Sequence, residues 1–256
     1  MQPGYRSFCP DHPAFAIAMA FQPIMDVETG RPIAYEALVR GSKGEGAGDI
    51  LTRIRPEERY DFDQQCRVAA IEGAVAAGLL DGGARLSINF LPDTVYSPLA
   101  CLVLTLDAIR RLNVPHERLI FEFSEQADMG DGEHLKTILD TYHHMGFGTA
   151  IDDFGAGHAG LTLLGQVRTD YIKLDMALIR GIDQAMPRRM IIEGVMRIAE
   201  KMGIAIIAEG VETIGEYDAL RALGVRYMQG YLIARPGFRC LPPGHLPEEP
   251  AWAASA

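Results

Sequence analysis

Cysteine is scarce in this sequence, and its spacing excludes two classes of protein. Four cysteines are spread over 256 residues, and no C-x-x-C pair occurs. Disulfide-stapled scaffolds and cysteine-rich zinc modules are therefore excluded. We expect reduced thiols, which predicts a cytoplasmic protein.

Long apolar runs and an excess of basic residues are also missing. No apolar run approaches the roughly 18 residues needed to cross a bilayer. The apolar stretch 14–21 lacks the basic flank of a signal peptide, so we interpret it as a strand and predict no membrane segment in this chain. The net charge of −10 argues against a broad basic surface for DNA or RNA, and a phosphate ligand would need local arginine, lysine or metal.

What the sequence does contain is an alternation of apolar strand-like runs and helical periodicity. The 48% hydrophobic content is typical of a globular protein with a large core. Helical patterns are predicted at about 55–78, 98–112, 132–145, 187–202 and 213–223. Strands are predicted at about 16–24, 33–39, 85–90, 119–124, 148–152, 171–174, 204–209 and 226–230. Eight strands with intervening helices favour an α/β fold of the TIM-like (β/α)₈ barrel type.

The first two strands depart from the parallel pattern. About eight residues separate them, with the turn sequence Glu28-Thr-Gly-Arg-Pro32, and this is too short for a parallel crossover. We therefore predict an antiparallel first strand that forms a hairpin with the second.

The chain is predicted to form one barrel domain with short irregular ends. Residues 1–13 contain Pro3, Gly4, Pro10 and Pro13 and are interpreted as an irregular lead-in. The barrel is assigned to residues 14–238. Residues 239–256 form a proline-rich tail that we expect to be disordered.

Polar side chains stand at the end of nearly every predicted strand. In a closed parallel barrel these ends meet at one rim, where catalytic residues lie. A single strand-end acid is more often a solvated turn residue, and Asp152-Asp153 before Gly155 has that simpler interpretation too. The simultaneous occurrence at several strands favours a shared site. Its candidate residues are Glu36, Asn89, Glu122, Asp152, Asp153, Lys173, Asp175, Glu209 and Gln229.

The chemical types of these side chains indicate a site for hard cations. Carboxylate and amide oxygens favour Mg²⁺ or Mn²⁺ over zinc. The acids outnumber what one ion requires, so Asp152, Asp153 and Glu209 are candidates for a second cation about 3.5–4 Å from the first. Such a pair suits a phosphodiester substrate, with Lys173 available to orient or deprotonate a water and Arg40 to clamp a phosphate oxygen.

An ordered series of motifs resembles the EAL-domain family of cyclic-di-GMP phosphodiesterases. A bare Glu-Ala-Leu tripeptide has little specificity, but here eight motifs agree in order and spacing over about residues 16–238. They are Phe21-Gln-Pro-Ile24, Glu36-Ala-Leu-x-Arg40, Ser87-Ile-Asn89, Glu122-Phe-Ser-Glu125, Asp152-Asp-Phe-Gly-x-Gly157, Asp170-x-x-Lys-x-Asp175, Ala208-Glu-Gly-Val-Glu212 and Gln229-Gly-Tyr231.

The resemblance implies hydrolysis of cyclic di-GMP to linear pGpG by a homodimer, with two Mg²⁺ or Mn²⁺ ions per site and inhibition by Ca²⁺. It implies that Glu36, Asn89, Glu122 and Asp152 hold the first ion, and that Asp152, Asp153 and Glu209 hold the second. Lys173 would contact the catalytic water, and Glu125 would anchor the loop after Asp153. The residues implied to line the nucleotide site are Gln22, Leu38, Arg40, Asp175 and Gln229.

The sequence departs from the family pattern beside the acidic pair. Ala156 replaces a common threonine, and His158-Ala-Gly160 replaces Tyr-Ser-Ser. Loss of the hydroxyl is expected to loosen the loop that carries Asp153. Two alternatives to an active enzyme follow: a cyclic-di-GMP receptor or interaction module with little turnover, and, more distantly, an unrelated Mg²⁺-dependent barrel acting on a carboxylate.

Overall fold

The computed structural model describes residues 15–95, 97–126, 132–157 and 160–248. The predicted lead-in 1–13 and the loop residue His158 lie outside these ranges, as do residues 249–256.

The strands form a closed barrel, as predicted. The sheet order β2-β3-β4-β5-β6-β7-β8-β1 is closed by pairing of β1 with β2, and a short β9 also pairs with β1. Pairing from β2 through β8 is parallel throughout. The strands β1 to β9 are Ile17–Asp26, Arg31–Gly41, Arg85–Asn89, Leu119–Ser124, Gly148–Phe154, Tyr171–Leu174, Ala205–Ala208, Tyr227–Met228 and Gly237–Phe238.

The first strand is antiparallel to both of its barrel neighbours. The hairpin turn between β1 and β2 is closed by Asp26, whose Oδ1 accepts from the Glu28 and Thr29 N–H groups at 3.0 and 3.4 Å. Gly30 completes the turn with a φ of 67°, which glycine adopts without steric cost. The eight-residue spacing thus predicted the hairpin correctly.

Helices surround the barrel, and the long ones begin and end close to the predicted positions. The predicted helix 98–112 is divided in two at Leu102, and the short helices α1, α6 and α7 were not predicted. The helices α1 to α9 are Ala47–Leu51, Arg59–Ala76, Pro98–Cys101, Val103–Arg111, Gly132–His144, Gly160–Leu164, Met176–Ile179, Met186–Met202 and Ile214–Ala222.

The barrel interior contains a small apolar layer, separate from the main core between sheet and helices. Four of its members precede a candidate acid by two residues. Side chains two apart on a strand face the same side, so the candidate acids point inward directly above this layer. The layer consists of Ile24, Ala34, Ile120, Ala150 and Ile207.

The proline-rich stretch 239–248 follows an irregular course along the barrel. The Arg239 N–H donates to the Met19 carbonyl at 2.9 Å, and the His245 N–H donates to the Ile233 carbonyl at 3.1 Å. Leu241 packs against the main core. Among the described residues, every helix is too short or too polar to cross a bilayer.

Candidate metal centre at the carboxyl rim

Four carboxylates, three on strands and Glu209 directly after β7, surround one buried lysine at the carboxyl rim. Lys173, at 0% exposure, points up from β6. Its Nζ lies 3.3 Å from Glu36 Oε2, 2.9 Å from Glu122 Oε2, 3.0 Å from Asp152 Oδ1 and 2.7 Å from Glu209 Oε1. We call these five residues the rim cluster.

The strand register explains why the rim cluster converges. Asn89 of β3 lies opposite Glu122 of β4, so parallel pairing places neighbouring strand ends at one level. A register shift in β5 after Ile151 accompanies the positive φ of Asp153, 54°, a conformation that is uncommon outside glycine and enriched at functional sites. Both adjacent aspartates therefore reach the same site.

The acids form two overlapping groups with the spacing of metal ligands. One ligand oxygen from each of Glu36, Glu122 and Asp152 lies within 4.8 Å of the others, and the same holds for Asp152, Asp153 and Glu209. Asp152 belongs to both groups. These are the two sets of acids that the sequence resemblance implied, and the structure brings each set together.

Amide side chains complete one side of the rim. Asn89 Nδ2 donates to Glu36 Oε1 at 3.3 Å. Gln229 Nε2 donates to Glu36 Oε2 at 2.7 Å and to Gln22 Oε1 at 3.1 Å. Gln22 in turn donates to the Ala234 carbonyl at 3.0 Å. Glu36 is thus oriented from both sides.

Burial and mutual repulsion disfavour ionisation at this rim. Burial raises the pKa of Glu122 to about 8, against the opposing effect of Lys173. Burial likewise raises the pKa of Glu209 well above its ordinary value. For Asp153, burial and then the neighbouring Asp152 raise the pKa. Clustered carboxylates with raised pKa values are typical of functional sites.

The donor set fits a divalent cation. Asp152 Oδ1 is buried and near Lys173 Nζ, yet among the described residues it accepts no hydrogen bond, since one ammonium with three protons has four carboxylate neighbours. A buried acceptor without a hydrogen bond costs free energy. Carboxylates and an amide are the ligands that Mg²⁺ and Mn²⁺ prefer.

Glu125 holds the loop that follows the acidic pair. Its Oε2 accepts from the Gly155 N–H and its Oε1 from the Gly160 N–H, both at 2.7 Å. Gly155 has a φ of 95°, and a Cβ on Gly157 would lie 3.0 Å from Glu125 Oε1. The loop therefore wraps closely around this one carboxylate.

The remaining candidate residues lie around the rim without joining the cluster. Arg40 Nη1 donates to the Val39 carbonyl at 2.8 Å. Asp175 caps α7 by accepting from the Ala177 N–H at 2.7 Å. Leu38 and Asn89 line a mostly apolar cavity of about 530 Å³ that extends from the rim between β2, β3 and α2.

The sequence analysis did not identify three polar residues that support the rim. Ser87 donates from Oγ to Glu122 Oε1; it opens the Ser-Ile-Asn motif that ends at Asn89. Glu216 is buried and accepts from the N–H groups of Gly181, Glu212 and Thr213, which fixes the loop after Glu209. The Thr213-x-x-Glu216 capping box was a readable signal. Asp63 of α2 accepts from the Leu91 N–H behind Asn89.

Comparison with known proteins agrees with this geometry. The EAL domain family model matches residues 14–236. A standalone EAL protein from Vibrio cholerae O395, solved with c-di-GMP bound, is 43% identical with a TM-score of 0.87, covering 91% of this chain and 98% of that one. Klebsiella pneumoniae BlrP1 in a manganese and cyclic-di-GMP complex is 30% identical with a TM-score of 0.82, covering 91% and 58%.

Curated relatives include proteins of two named kinds. The blue light- and temperature-regulated antirepressor BluF of Escherichia coli is 30% identical over 241 residues, covering 94% of this chain and 59% of BluF. The probable cyclic di-GMP phosphodiesterase PdeA of Escherichia coli is 28% identical over 228 residues, covering 82% of this chain and 31% of PdeA. The chain therefore spans between about a third and three fifths of these relatives.

Proposed function

This chain belongs to the EAL domain family, and we propose that it is a phosphodiesterase that hydrolyses cyclic di-GMP to pGpG with two divalent cations. The observation that carries the proposal is that the rim cluster and the adjacent Asp153 form two groups of ligand oxygens that share Asp152. Two ions joined by a bridging carboxylate suit attack of water on a phosphodiester.

In this proposal Mg²⁺ or Mn²⁺ is the working cofactor. Glu36, Asn89, Glu122 and Asp152 would hold one ion, and Asp152, Asp153 and Glu209 the other. When bound, such ions neutralise the phosphate and lower the pKa of a bound water. Ca²⁺ is proposed to bind and inhibit, since it prefers longer bonds and more ligands than Mg²⁺; BlrP1 has also been solved with calcium and cyclic di-GMP.

The other side chains of the site would position the attacking water and the nucleotide. Lys173 carries a proton, because the four carboxylates raise the pKa of its ammonium despite its burial; it would therefore donate to and orient the attacking water. Gln22, Gln229 and Asp175 would hold the nucleotide by hydrogen bonds, and Arg40 would clamp a phosphate oxygen. Leu38 and the apolar cavity beside it would receive the flat face of a base.

The direct test is turnover. Purified protein with Mg²⁺ or Mn²⁺ is incubated with cyclic di-GMP, and product is separated by chromatography. We expect pGpG to accumulate, and Ca²⁺ to stop its formation. Tight nucleotide binding without product over hours, at saturating cation, would contradict the proposal.

A receptor or interaction module is the second candidate. It is favoured by the relative BluF, which is named an antirepressor, and by Ala156, which replaces a common hydroxyl residue beside Asp153. The filled set of ligand positions favours the enzyme. The turnover assay separates these two candidates, and Ala156→Thr tests the loop, since an active enzyme is expected to show a rate equal to or above that of the natural chain.

We also propose that the enzyme is a cytoplasmic homodimer. The described cysteines Cys66, Cys101 and Cys240 are free thiols, as expected in a reducing compartment. Ile191, Ile198 and Met202 are exposed along one stripe of α8, and a second copy could cover this stripe by two-fold pairing. Ile191→Glu is expected to give a monomer in sedimentation, while the control Glu200→Gln on the same helix stays dimeric.

A further inference from the structure

A buried ion pair in α2 supplies no ligand to either proposed cation, although Asp63 also lines the apolar cavity beside Leu38. Arg67 is 0% and Asp63 4% exposed, and Arg67 Nη2 binds Asp63 Oδ2 one helical turn away. A buried pair of this kind contributes little net stability compared with apolar side chains of similar volume, because both charges lose their hydration. The contacts that the pair makes outside the helix therefore indicate what role it has.

Those contacts converge on the residues that directly follow Asn89. Asp63 Oδ1, the oxygen not bound by Arg67 Nη2, accepts from the Leu91 N–H at 3.1 Å. The Arg67 guanidinium lies 5.5 Å from the centre of the Phe90 ring. One member of the pair thus binds the backbone of this segment, and the other binds a ring.

The same guanidinium reaches the neighbouring strand. It lies 5.9 Å from the centre of the Phe121 ring, and Phe121 immediately precedes Glu122. Its Nη1 also donates to the Tyr142 hydroxyl at 3.4 Å. The pair therefore lies behind two adjacent strand ends of the rim, those of β3 and β4.

The hydrogen bond to Leu91 is important because of what surrounds it in the sequence. Phe90 still follows the sheet, with its N–H donating to the Glu122 carbonyl at 2.8 Å. Leu91 has left the sheet, and Pro92 has no N–H to donate. The Leu91 N–H is thus the last backbone donor before the turn, and the Asp63 carboxylate fixes it to a long, well-packed helix.

We infer that Asp63 is a positioning residue that holds the end of β3 so that Asn89 meets a cation beside Glu36 and Glu122, and that Arg67 neutralises the buried Asp63 charge. The inference rests on the proposed function, since it assigns Asn89 to a cation. Residues that orient metal ligands without touching the metal commonly change its affinity by 10- to 100-fold.

The test compares two double variants that lack the buried pair and differ in a single acceptor. Asp63→Asn/Arg67→Met keeps an oxygen for the Leu91 N–H, whereas Asp63→Leu/Arg67→Met removes it. Neither leaves an unpaired buried charge. Mn²⁺ binding is measured without nucleotide from the loss of the electron paramagnetic resonance signal of free Mn²⁺, and amide exchange at Leu91 reports the hydrogen bond itself.

We expect the asparagine variant to bind Mn²⁺ within about twofold of the natural chain, and the leucine variant to bind its tighter ion roughly tenfold more weakly, with faster exchange at Leu91. Thermal unfolding checks that both fold, and Asp63→Ala/Arg67→Met replaces the leucine variant if that one does not. Equal Mn²⁺ affinity in the two variants overturns the positioning role alone. Absence of Mn²⁺ binding in the natural chain overturns both this inference and the proposed function.

Discussion

The two ends of the barrel shift the pKa values of buried carboxyl groups in opposite directions. At the amino end Asp26 receives two hydrogen bonds from Arg226, at 3.1 and 2.7 Å, and these lower the pKa of the Asp26 carboxyl to about 2. At the carboxyl rim burial raises the pKa of Glu122 to about 8. Arg226 pairs with Asp26 and the exposed Glu28, whereas four carboxylates share Lys173.

This difference separates charge that stabilises the fold from charge that we propose serves a metal site. Hydrogen bonds that favour the ionised carboxylate contribute to stability. Four carboxylates around a single ammonium group repel one another, and a bound metal ion would relieve this repulsion. In barrel enzymes the carboxyl ends of the strands bear the catalytic groups and the amino ends serve stability, and the electrostatics of this chain follow that division.

The largest effect is expected from removing one rim acid. Glu36→Ala should lower the rate of pGpG formation by roughly a thousandfold, because a lost metal ligand weakens several kcal/mol of transition-state stabilisation. Glu117→Ala, an exposed acid at the amino end, is the matched control and should keep its rate. Equal rates for the two variants would remove the distinction between the ends.

The second prediction concerns Lys173, whose ammonium group the rim acids share. Lys173→Met leaves buried carboxylates without their partner and should lower the free energy of unfolding of the metal-free protein by about 3 kcal/mol. Mn²⁺ should restore part of this loss. Urea unfolding with and without Mn²⁺ measures it, beside the exposed control Lys201→Met. A Lys173→Met protein of natural stability and near-natural turnover would contradict both roles given to the lysine.

The third prediction divides the two adjacent aspartates. Asp152 belongs to both ligand groups and Asp153 to one. Asp152→Asn should therefore weaken the binding of both Mn²⁺ ions, and Asp153→Asn should weaken mainly the binding of one. Titration calorimetry of metal-free protein would count the ions retained. The same stoichiometry in both variants would show that Asp152 does not bridge.

The smallest effect is expected at the amino end. The folded pKa of Asp26 is lowered from 3.8 to about 2, so its contribution is fully present above about pH 4 and is lost as the pH falls toward 2. Asp26→Asn should cost about 1 kcal/mol at pH 7, a value reduced for solvent screening at the partly exposed Arg226. Urea unfolding should show the same difference at pH 7 and pH 5 and a smaller one at pH 3; a difference independent of pH would argue against the ion pair.

The sequence predicted the parts of the molecule whose signals are local. Strand periodicity located β3 to β6 within one or two residues, and the short turn after Asp26 revealed the hairpin. Because parallel strand ends must meet, the strand-end positions of the acids were enough to place them at one rim.

Other features depended on contacts that no local pattern reveals. An Asp63-Arg67 pair at i, i+4 is typical of a solvated helix face, yet here it is buried, because the rings of Phe90 and Phe121 meet that face. The course of the stretch 239–248 likewise depends on packing, since Leu241 contacts the core. Tertiary packing decided both cases.

The number of cations bound at the rim tests the central claim most directly. Metal-free natural protein is titrated with Mn²⁺ without nucleotide, and the stoichiometry is read from calorimetry. The two overlapping ligand groups predict two ions per chain, with thermal stability rising as they bind. Binding of no ion, or stability that Mn²⁺ leaves unchanged, would contradict the account of the rim as a metal centre.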